Sequence, residues 1–265
     1  MMLRELLLAV VMCSGACAQV PAADAVRSGS PAKPVCDGAL KQGGLVICSG
    51  APGETFTVAG IKQVADSSGS AQFGIRTNAP SVIGWSAASG AFGDLAIAAR
   101  DDEFRTIKGF DCDKVDARSP EQKSSPFGPT RKYIGVSKVT GKPCEKTSVH
   151  QGYDMAAPVG TPVVAPAAGT VILADPDLYY EGGTVFLDHG HGLTSVFMHL
   201  SAVDVSPGDV VERGDVLAKT GNSGRTTGPH LHWAVKWRNI ASQDRSGDFY
   251  IDPALLLDLP VSEPE

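Results

Sequence analysis

The hydrophobic residues of this chain fall in short runs that are separated by glycine, proline and small polar residues. Within residues 40–110 the successive segments are GLVICSGAPGETFTVAG, IKQVADSSGSAQFGI, SVIGWSA, GDLAIAAR and RTIKGF. Short apolar runs bounded by turn residues are typical of β-strands, and no long segment has the 3.6-residue period of an amphipathic helix. We therefore predict a small all-β domain over 40–110.

The same pattern returns in the second half of the chain, where it predicts another set of short strands. Their segments are TPVVAP, GTVILAD, GTVFLDH, LTSVFMHL, GDVLAKTG and HLHWAVKW. Between the two halves, DARSPEQKSSP is polar, contains proline and has no hydrophobic period, so we predict a linker over 111–126. The expected fold class is mainly β, with the small N-terminal β domain followed by an antiparallel β domain over 127–257.

The N-terminus, MMLRELLLAVVMCSGACAQ, has the features of a secretory signal peptide. A short apolar run over 6–12 precedes small residues, with Ala16 and Ala18 at the spacing that signal peptidase recognises. We expect a signal peptide over 1–18, cleavage before Gln19 and export. The apolar run is too short for a stable membrane span.

Two segments outside the predicted domains lack the strand pattern. Residues 19–39 are rich in Ala, Pro and Ser, and we expect a disordered leader there. The segment DLPVSEPE, 258–265, is expected to be a disordered tail. Cleavage before Cys17 would instead give an outer-membrane lipoprotein, but Ser14 stands where lipoprotein signals need an aliphatic residue.

The charge of the chain argues against nucleic acid as a partner. The formal net charge is -6 at pH 7, and no basic run occurs along the sequence. Proteins that bind nucleic acid need clustered Lys and Arg to neutralise phosphates. We therefore expect no nucleic-acid partner.

Four cysteines remain after the predicted signal peptide, and no two of them form a C-x-x-C pair. An even number of cysteines in an exported chain indicates disulfides rather than a thiolate metal site. Of the three possible connectivities we favour Cys36 with Cys48 and Cys112 with Cys144, because this pairing closes the shortest loops. The other two connectivities stay open.

Two of the six histidines stand one residue apart in GPHLHW, directly after a glycine-rich turn. If HLHWAVKW is a strand, His230 and His232 point to the same face, because strand side chains alternate with period two. Two imidazoles on one face can contribute to one site. Such a site needs partners from elsewhere in the chain.

Upstream, His150 and Asp154 are four residues apart, a spacing that chance supplies often. Gly152 and Pro158 argue against a helix that would align them. Together with His232 they give two imidazoles and one carboxylate. This set suits zinc and leaves the fourth tetrahedral position open for water, as in catalytic sites.

Of the remaining histidines, two are candidates for proton transfer. His199, at the end of LTSVFMHL, and His230 are not needed as ligands, and no HExxH helix supplies a glutamate base. His189 and His191, in the turn DHGHG, are expected to be structural. A biotinyl or lipoyl carrier, suggested by VSPGDVVERGDVLAKTG, would have no use for these histidines, and GNSGRTTG lacks the Gly-Lys-Ser/Thr ending of a phosphate loop.

Several segments, in order, resemble the lysostaphin-type, or LytM-type, zinc endopeptidases of peptidoglycan. They are HQGYDMAAPVGTPVVAPAAGTV, TVFLDHGHGLTSVFMHLS, VSPGDVVERGDVLAKTGNSGRTTGPHLHW and DPALLL, and the similarity runs from about 125 to 257. By this resemblance, three residues match the zinc ligands and two match the catalytic histidines. The ligands are His150, Asp154 and His232, and the catalytic residues are His199 and His230.

The resemblance implies a zinc metalloendopeptidase with the lysostaphin-type peptidase fold over 127–257 and one Zn²⁺ per chain. It implies that the enzyme is periplasmic, acts on peptidoglycan during cell-wall remodelling and cuts the D-alanine to diaminopimelate cross-link, with glycine bridges as the family's other substrate. Which of His199 and His230 is the base stays open. The alternative is a catalytically inactive module that binds peptidoglycan or activates an amidase.

Two parts of the chain match the resemblance less well. SKVTGKPCEKTSV, before His150, departs from the commonest pattern, so the resemblance does not define the shape of one groove wall. The N-terminal segments are similar to a small β domain that precedes the catalytic domain in some proteobacterial members. No function is carried over from that domain.

Overall fold

Frequent turn residues divide the chain into short strands, as predicted. In the computed structural model, twenty strands and one short helix occupy the described residues, which are 33–101, 104–111, 124–137, 139–226, 228–242, 247–257 and 259. The predicted signal peptide over 1–18 and the alternative lipidation site Cys17 lie outside these residues.

Seven strands make up the N-terminal part: β1 (Val35–Ala39), β2 (Leu45–Ser49), β3 (Thr55–Val58), β4 (Ile61–Val64), β5 (Ser70–Gly74), β6 (Val82–Ala87) and β7 (Phe92–Ala96). They form a three-stranded sheet of order β1-β2-β5 and a four-stranded sheet of order β4-β3-β6-β7. Alternate side chains point inward, and Val46, Phe56 and Phe73 are among the buried residues of one core.

The C-terminal part contains β8 (Phe104–Asp111), β9 (Thr130–Val136), β10 (Pro143–Val149), β11 (Tyr153–Ala156), β12 (Pro162–Val164), β13 (Gly169–Leu178), β14 (Gly182–Gly190), β15 (Leu193–Leu200), β16 (Ala202–Val203), β17 (Val210–Val211), β18 (Val216–Lys219), β19 (His230–Trp237), β20 (Phe249–Ile251) and the helix α1 (Pro253–Leu257). Within the described residues, no helix is long and apolar enough to cross a membrane.

A seven-stranded antiparallel sheet dominates this part, with the order β11-β19-β15-β14-β13-β17 and β20 also paired to β19. A smaller sheet of order β12-β18-β16 accompanies it. Leu187, Leu217 and Trp237 are among the fully buried residues of the core. The predicted mainly β, antiparallel fold class is confirmed.

One pair of strands departs from the antiparallel arrangement. β8 pairs in parallel with β9, and β10 pairs with β9 in the antiparallel sense. A parallel pair needs a crossover of about a dozen residues or more, and residues 112–129 provide that length. Residues 104–111, whose segment was predicted to close the N-terminal domain, therefore belong to a sheet shared with the C-terminal part.

The leader prediction is wrong for residues 35–39, which form β1. Cys36 lies directly opposite Cys48 in the β1–β2 pair, and the predicted disulfide joins them. Cys144 is also disulfide-bonded, and Cys112 lies outside the described residues. Composition misled here because strand pairing and a cross-link, rather than local hydrophobicity, hold β1 in place.

Two further segments predicted to lack regular structure contribute to the fold. Ser125, at the end of the predicted linker, forms an isolated antiparallel bridge with Asp154. Leu259, in the predicted tail, packs against the main core. Residues 112–123 and 260–265 lie outside the described part of the chain.

The N-terminal and C-terminal parts pack against each other. Leu45 of β2 belongs to the core of the C-terminal part, and Trp237 donates from Nε1 to the carbonyl oxygen of Gln72 at 3.3 Å. A Cβ atom at Gly74 would lie 2.8 Å from the Trp237 ring, so glycine permits this close approach. The two parts therefore form one compact unit over 31–265.

The Cys36–Cys48 disulfide closes a loop with a sequence separation of 12. We predict that the double substitution Cys36→Ala and Cys48→Ala lowers the free energy of unfolding by about 3 kcal/mol, because the unfolded chain regains the entropy of the open loop. Denaturant titration of both proteins measures this difference. A loss well under half of that value would contradict the prediction.

Candidate metal centre

Two adjacent strands and the end of a third bring the predicted ligands together. Asp154 in β11 lies directly opposite His232 in β19. His150 immediately follows β10, and its backbone N–H donates to the carbonyl oxygen of Pro129 at 3.0 Å. The segment between His150 and Asp154 is not helical, as predicted. Strand pairing, rather than one turn of helix, therefore sets the approach of these side chains.

Three donor atoms converge on one point. Asp154 Oδ1 lies 3.0 Å from His150 Nε2 and 2.8 Å from His232 Nδ1, and the two ring nitrogens are 3.3 Å apart. His150 and Asp154 are buried, and His232 is half-buried. Two imidazole nitrogens and one carboxylate oxygen in this arrangement could hold a metal ion.

The Asp154 carboxylate is charged although it is buried. Burial by itself raises its pKa, but hydrogen bonds to His150 and His232 outweigh that effect and hold the pKa well below its usual range. Its second oxygen, Oδ2, accepts from Arg131 Nη2 at 3.0 Å, and the same nitrogen contacts Ser125 Oγ at 2.7 Å. A metal would need the ionised carboxylate, and these contacts keep Asp154 in that form.

Outer contacts also fix the two ligand imidazoles. The Nδ1–H of His150 donates to the carbonyl oxygen of Pro126 at 2.7 Å, which turns Nε2 toward the other two candidate donor atoms. The His232 ring turns Nε2 toward Gly152, where a Cβ atom would lie only 2.4 Å from that nitrogen. Gly152 therefore makes room for the ring whose Nδ1 faces the other donors.

Sequence reasoning missed the roles of Arg131 and Gly152. We interpreted Gly152 only as a residue that disfavours helix, and we gave Arg131 no role. No local pattern marks either residue, because both act through contacts across strands. The resemblance could have drawn attention to Gly152, since it lies within the motif that contains both His150 and Asp154.

His199 and His230, the predicted catalytic pair, lie beside the ligand set. Their ring centroids are 4.9 Å apart, and His230 Nε2 lies 3.5 Å from Asp154 Oδ1. Backbone carbonyls of the turn before β19 accept from both Nδ1 atoms, that of Ser223 from His199 at 3.0 Å and that of Gly228 from His230 at 2.8 Å. A carbonyl can only accept, so Nδ1 of each ring carries a proton.

His199 reaches the site through an unusual backbone conformation. Met198 lies opposite His232, so in a regular strand the next side chain would point to the other face of the sheet. His199 instead has a φ of 63°, in the left-handed region, and both Met198 and His199 line the same cavity. Burial, followed by the neighbouring His230 and His232, lowers the pKa of His199 to about 3, so its imidazole is neutral.

The five predicted site residues all line one cavity of about 360 Å³. Lys146 and Ser148 of β10 form part of its wall, so the segment that departs from the commonest pattern contributes to the groove. Other residues that line the cavity are cationic or aromatic: Arg131, Arg225, Tyr133, Tyr180 and Tyr250. An open cavity with these groups suits a polar peptide ligand better than an apolar one.

The turn histidines make structural hydrogen bonds, as predicted. His189 contacts the carbonyl oxygen of Ala168 and Ser195 Oγ, both at 2.8 Å. His191 Nε2 contacts Asp66 Oδ2 at 3.1 Å, which links the C-terminal part to the N-terminal part. Neither histidine lines the cavity described above.

Residues 148–244 match the family profile described as peptidase family M23. This region of the chain is therefore similar to an M23 peptidase domain. A solved Pseudomonas aeruginosa structure described as a peptidase M23 resembles this domain together with the N-terminal part. The two chains are 26% identical with a TM-score of 0.50, and the match covers 82% of this chain and 95% of the other.

Two sequence relatives match a part of this chain. An uncharacterised metalloprotease of Haemophilus influenzae is 38% identical over 152 residues, which are 55% of this chain and 30% of the relative. The peptidoglycan DD-endopeptidase ShyB of Vibrio cholerae is 34% identical over 171 residues, 62% of this chain and 38% of the relative. The chain thus spans well under half the length of these two proteins.

The position of Gly152 gives a test of the metal centre. We predict that Gly152→Ala displaces the His232 ring and lowers metal affinity about 10-fold to 100-fold, the usual effect of disturbing a group that supports a ligand. Gly84→Ala is the matched control, because its added Cβ would meet only Asp94 Oδ1 at an ordinary 3.6 Å. Metal content after dialysis against buffered metal measures both, and equal content in the two variants would contradict the prediction.

Proposed function

We propose that this protein is a zinc-dependent endopeptidase that hydrolyses peptide bonds in peptidoglycan during cell-wall remodelling. One observation carries the proposal: a candidate ligand set of two imidazoles and a carboxylate shares a cavity with two further imidazoles. The similarity of residues 148–244 to peptidase family M23 supports it. Structural metal sites use all four positions for protein ligands, so a three-ligand set favours catalysis.

We assign one zinc ion per chain to His150, Asp154 and His232. The donor set fits zinc, which prefers imidazole nitrogen and carboxylate oxygen at three positions of a catalytic site. Zinc at such a site lowers the pKa of water and polarises a carbonyl group. The protein supplies the charged carboxylate, and it orients both imidazole rings through outer contacts.

The histidines His199 and His230 would move the protons. Nε2 of one imidazole accepts the proton of the attacking water, and the same proton passes to the amine that leaves when the peptide bond breaks. The imidazole that has taken this proton can also donate a hydrogen bond to the developing oxyanion before the proton passes to the amine. Either histidine can take the role of base, because each ring contacts a backbone carbonyl through Nδ1 and not through Nε2.

For the substrate we propose the D-alanine to diaminopimelate cross-link of peptidoglycan. The similarity to ShyB, which is named a peptidoglycan DD-endopeptidase, supports this choice over glycine bridges. Peptidoglycan lies outside the cytoplasm, so the proposal implies an extracytoplasmic enzyme, and we propose the periplasm as its location. The cations and tyrosines of the cavity wall are compatible with a peptide that carries carboxylates.

Separate roles for ligand and catalyst can be tested by two substitutions. His232→Ala should lose both zinc and activity, because it removes a coordinating atom. His199→Ala should keep zinc and lose about 10² to 10⁴-fold in turnover, the usual contribution of general acid and base catalysis. Zinc content and turnover per folded molecule are measured for both, and chelation should abolish wild-type activity.

If His199 only packs in its strand, His199→Ala will lower stability and leave turnover of the zinc-loaded protein nearly unchanged. That result would overturn the catalytic assignment. A wild-type protein that contains no zinc and is unaffected by chelator would refute the proposed zinc enzyme itself. It would favour the inactive module.

The bond that is cut can be identified with purified sacculi. We predict that sacculi with direct diaminopimelate cross-links are solubilised, and that mass spectrometry finds new diaminopimelate amino groups. Sacculi with glycine bridges are the matched substrate and should stay intact. New glycine amino termini in the second digest, without cleavage in the first, would contradict the substrate assignment.

A further inference from the structure

An arginine of the N-terminal part reaches the C-terminal part close to the metal ligands. Arg100 follows β7, and its backbone N–H donates to Gln42 Oε1 at 3.0 Å, which anchors it in the N-terminal part. Its side chain is only 8% exposed and forms an ion pair between Nη1 and Asp252 Oδ2 at 2.8 Å. A buried cation needs such partners, so its position is well determined.

The same guanidinium holds the backbone at Phe127. Nη2 donates to the carbonyl oxygen of Phe127, and the guanidinium carbon lies 4.8 Å from the centre of the Phe127 ring. At the next residue, Gly128, a Cβ atom would come within 2.5 Å of Arg100 Nε. Arg100 therefore lies against two consecutive residues of this segment.

Residues 125–128, which we call the ligand-holding segment, contact two of the proposed zinc ligands. Ser125 and Asp154 exchange both backbone hydrogen bonds, at 3.0 and 2.8 Å. The carbonyl oxygen of Pro126 accepts from His150 Nδ1 at 2.7 Å, and the N–H of Gly128 donates to the carbonyl oxygen of His150 at 2.8 Å. The segment thus orients one ligand ring and fixes the backbone of both ligands.

We infer that Arg100 is a positioning residue for the metal centre. It clamps the ligand-holding segment between the N-terminal part and the ligands His150 and Asp154. The inference rests on the proposed function, since it assumes that these residues bind zinc. It gives the N-terminal part a role in the reaction, because a residue of that part holds the segment that orients the candidate ligands.

The physical basis is preorganisation. A hydrogen bond from a charged donor is shorter and stronger than a neutral one, and here it holds a backbone carbonyl next to the one that fixes the His150 ring. Without Arg100, residues 125–128 gain freedom, and the donor atoms must be ordered when the metal binds. Arg100 is not among the described residues that line the cavity, so it is not expected to contact substrate. Its removal should therefore affect zinc binding and kcat more than KM.

The test compares Arg100→Ala with Arg76→Ala in the full-length protein. Arg76 is a matched control, because its Nη2 donates to the carbonyl oxygen of Gly247 at 3.0 Å and its guanidinium lies 4.5 Å from the Phe249 ring centre. Phe249 pairs with Trp237, at the end of β19 opposite to the ligand. Competition with a chromophoric chelator measures zinc affinity, and circular dichroism verifies folding.

We expect Arg100→Ala to weaken zinc affinity about 10-fold to 100-fold and to lower kcat, the usual effect of removing an outer contact of a metal site. Arg76→Ala should keep zinc affinity within about twofold of wild type. Zinc affinity of Arg100→Ala equal to that of wild type would overturn the inference. Equal losses in Arg100→Ala and Arg76→Ala would also overturn it, because a general loss of stability would then explain both.

Two further variants keep the inference testable if Arg100→Ala does not fold. Arg100→Lys keeps a positive charge next to Asp252 but lacks the second guanidinium nitrogen that donates to the Phe127 carbonyl. Zinc affinity should therefore still fall. Asp252→Asn removes the charge of the partner and leaves the contact with Phe127, so zinc affinity should be kept. The opposite pattern in these two variants would overturn the inference.

The design separates this inference from the proposed function. If wild type binds zinc and cleaves sacculi while Arg100→Ala and Arg100→Lys bind zinc equally well, only the role of Arg100 is refuted. If wild type neither binds zinc nor cleaves sacculi, the proposed function fails and the inference fails with it.

Discussion

The buried carboxylate of Asp154 is the group on which the rest of the site depends. An ionised carboxylate in a protein interior is unfavourable unless it is paired and hydrogen-bonded. Here His150, His232 and Arg131 all contact it, and the strand pair fixes its backbone. The same arrangement that makes the charge tolerable also collects the donors that a metal needs, so stability of the site and its proposed chemistry have one origin.

The regular alternation of strand side chains accounts for the positions of His230 and His232, and a local departure from it accounts for the position of His199. His230 and His232 share a face because they are two residues apart in β19. His199 lies beside them only because its backbone is left-handed, a conformation that costs a non-glycine residue about 1 to 3 kcal/mol. Its hydrogen bond to the Ser223 carbonyl helps to hold the ring in place. Such strain at a proposed catalytic residue is consistent with a site organised before substrate arrives.

The N-terminal part is more closely integrated than a tethered domain would be. Leu45 contributes to the C-terminal core, Trp237 bonds to a strand of the N-terminal part, and Arg100 reaches the ligand-holding segment. The similarity to a Pseudomonas aeruginosa structure over 82% of this chain extends across both parts. The candidate metal centre thus has indirect contacts with residues outside the matched family region, which begins at residue 148.

The sequence by itself determined the fold class, most strands and the grouping of five site residues, because alternation, turn residues and the motifs are local signals. It did not determine β1 or the parallel β8–β9 pair, since both depend on partners distant in sequence. Only the tertiary structure decided that Arg131 supports Asp154, that Gly152 makes room for a ring, and that His199 turns toward the cavity. Those facts arise from packing across strands, which no local pattern encodes.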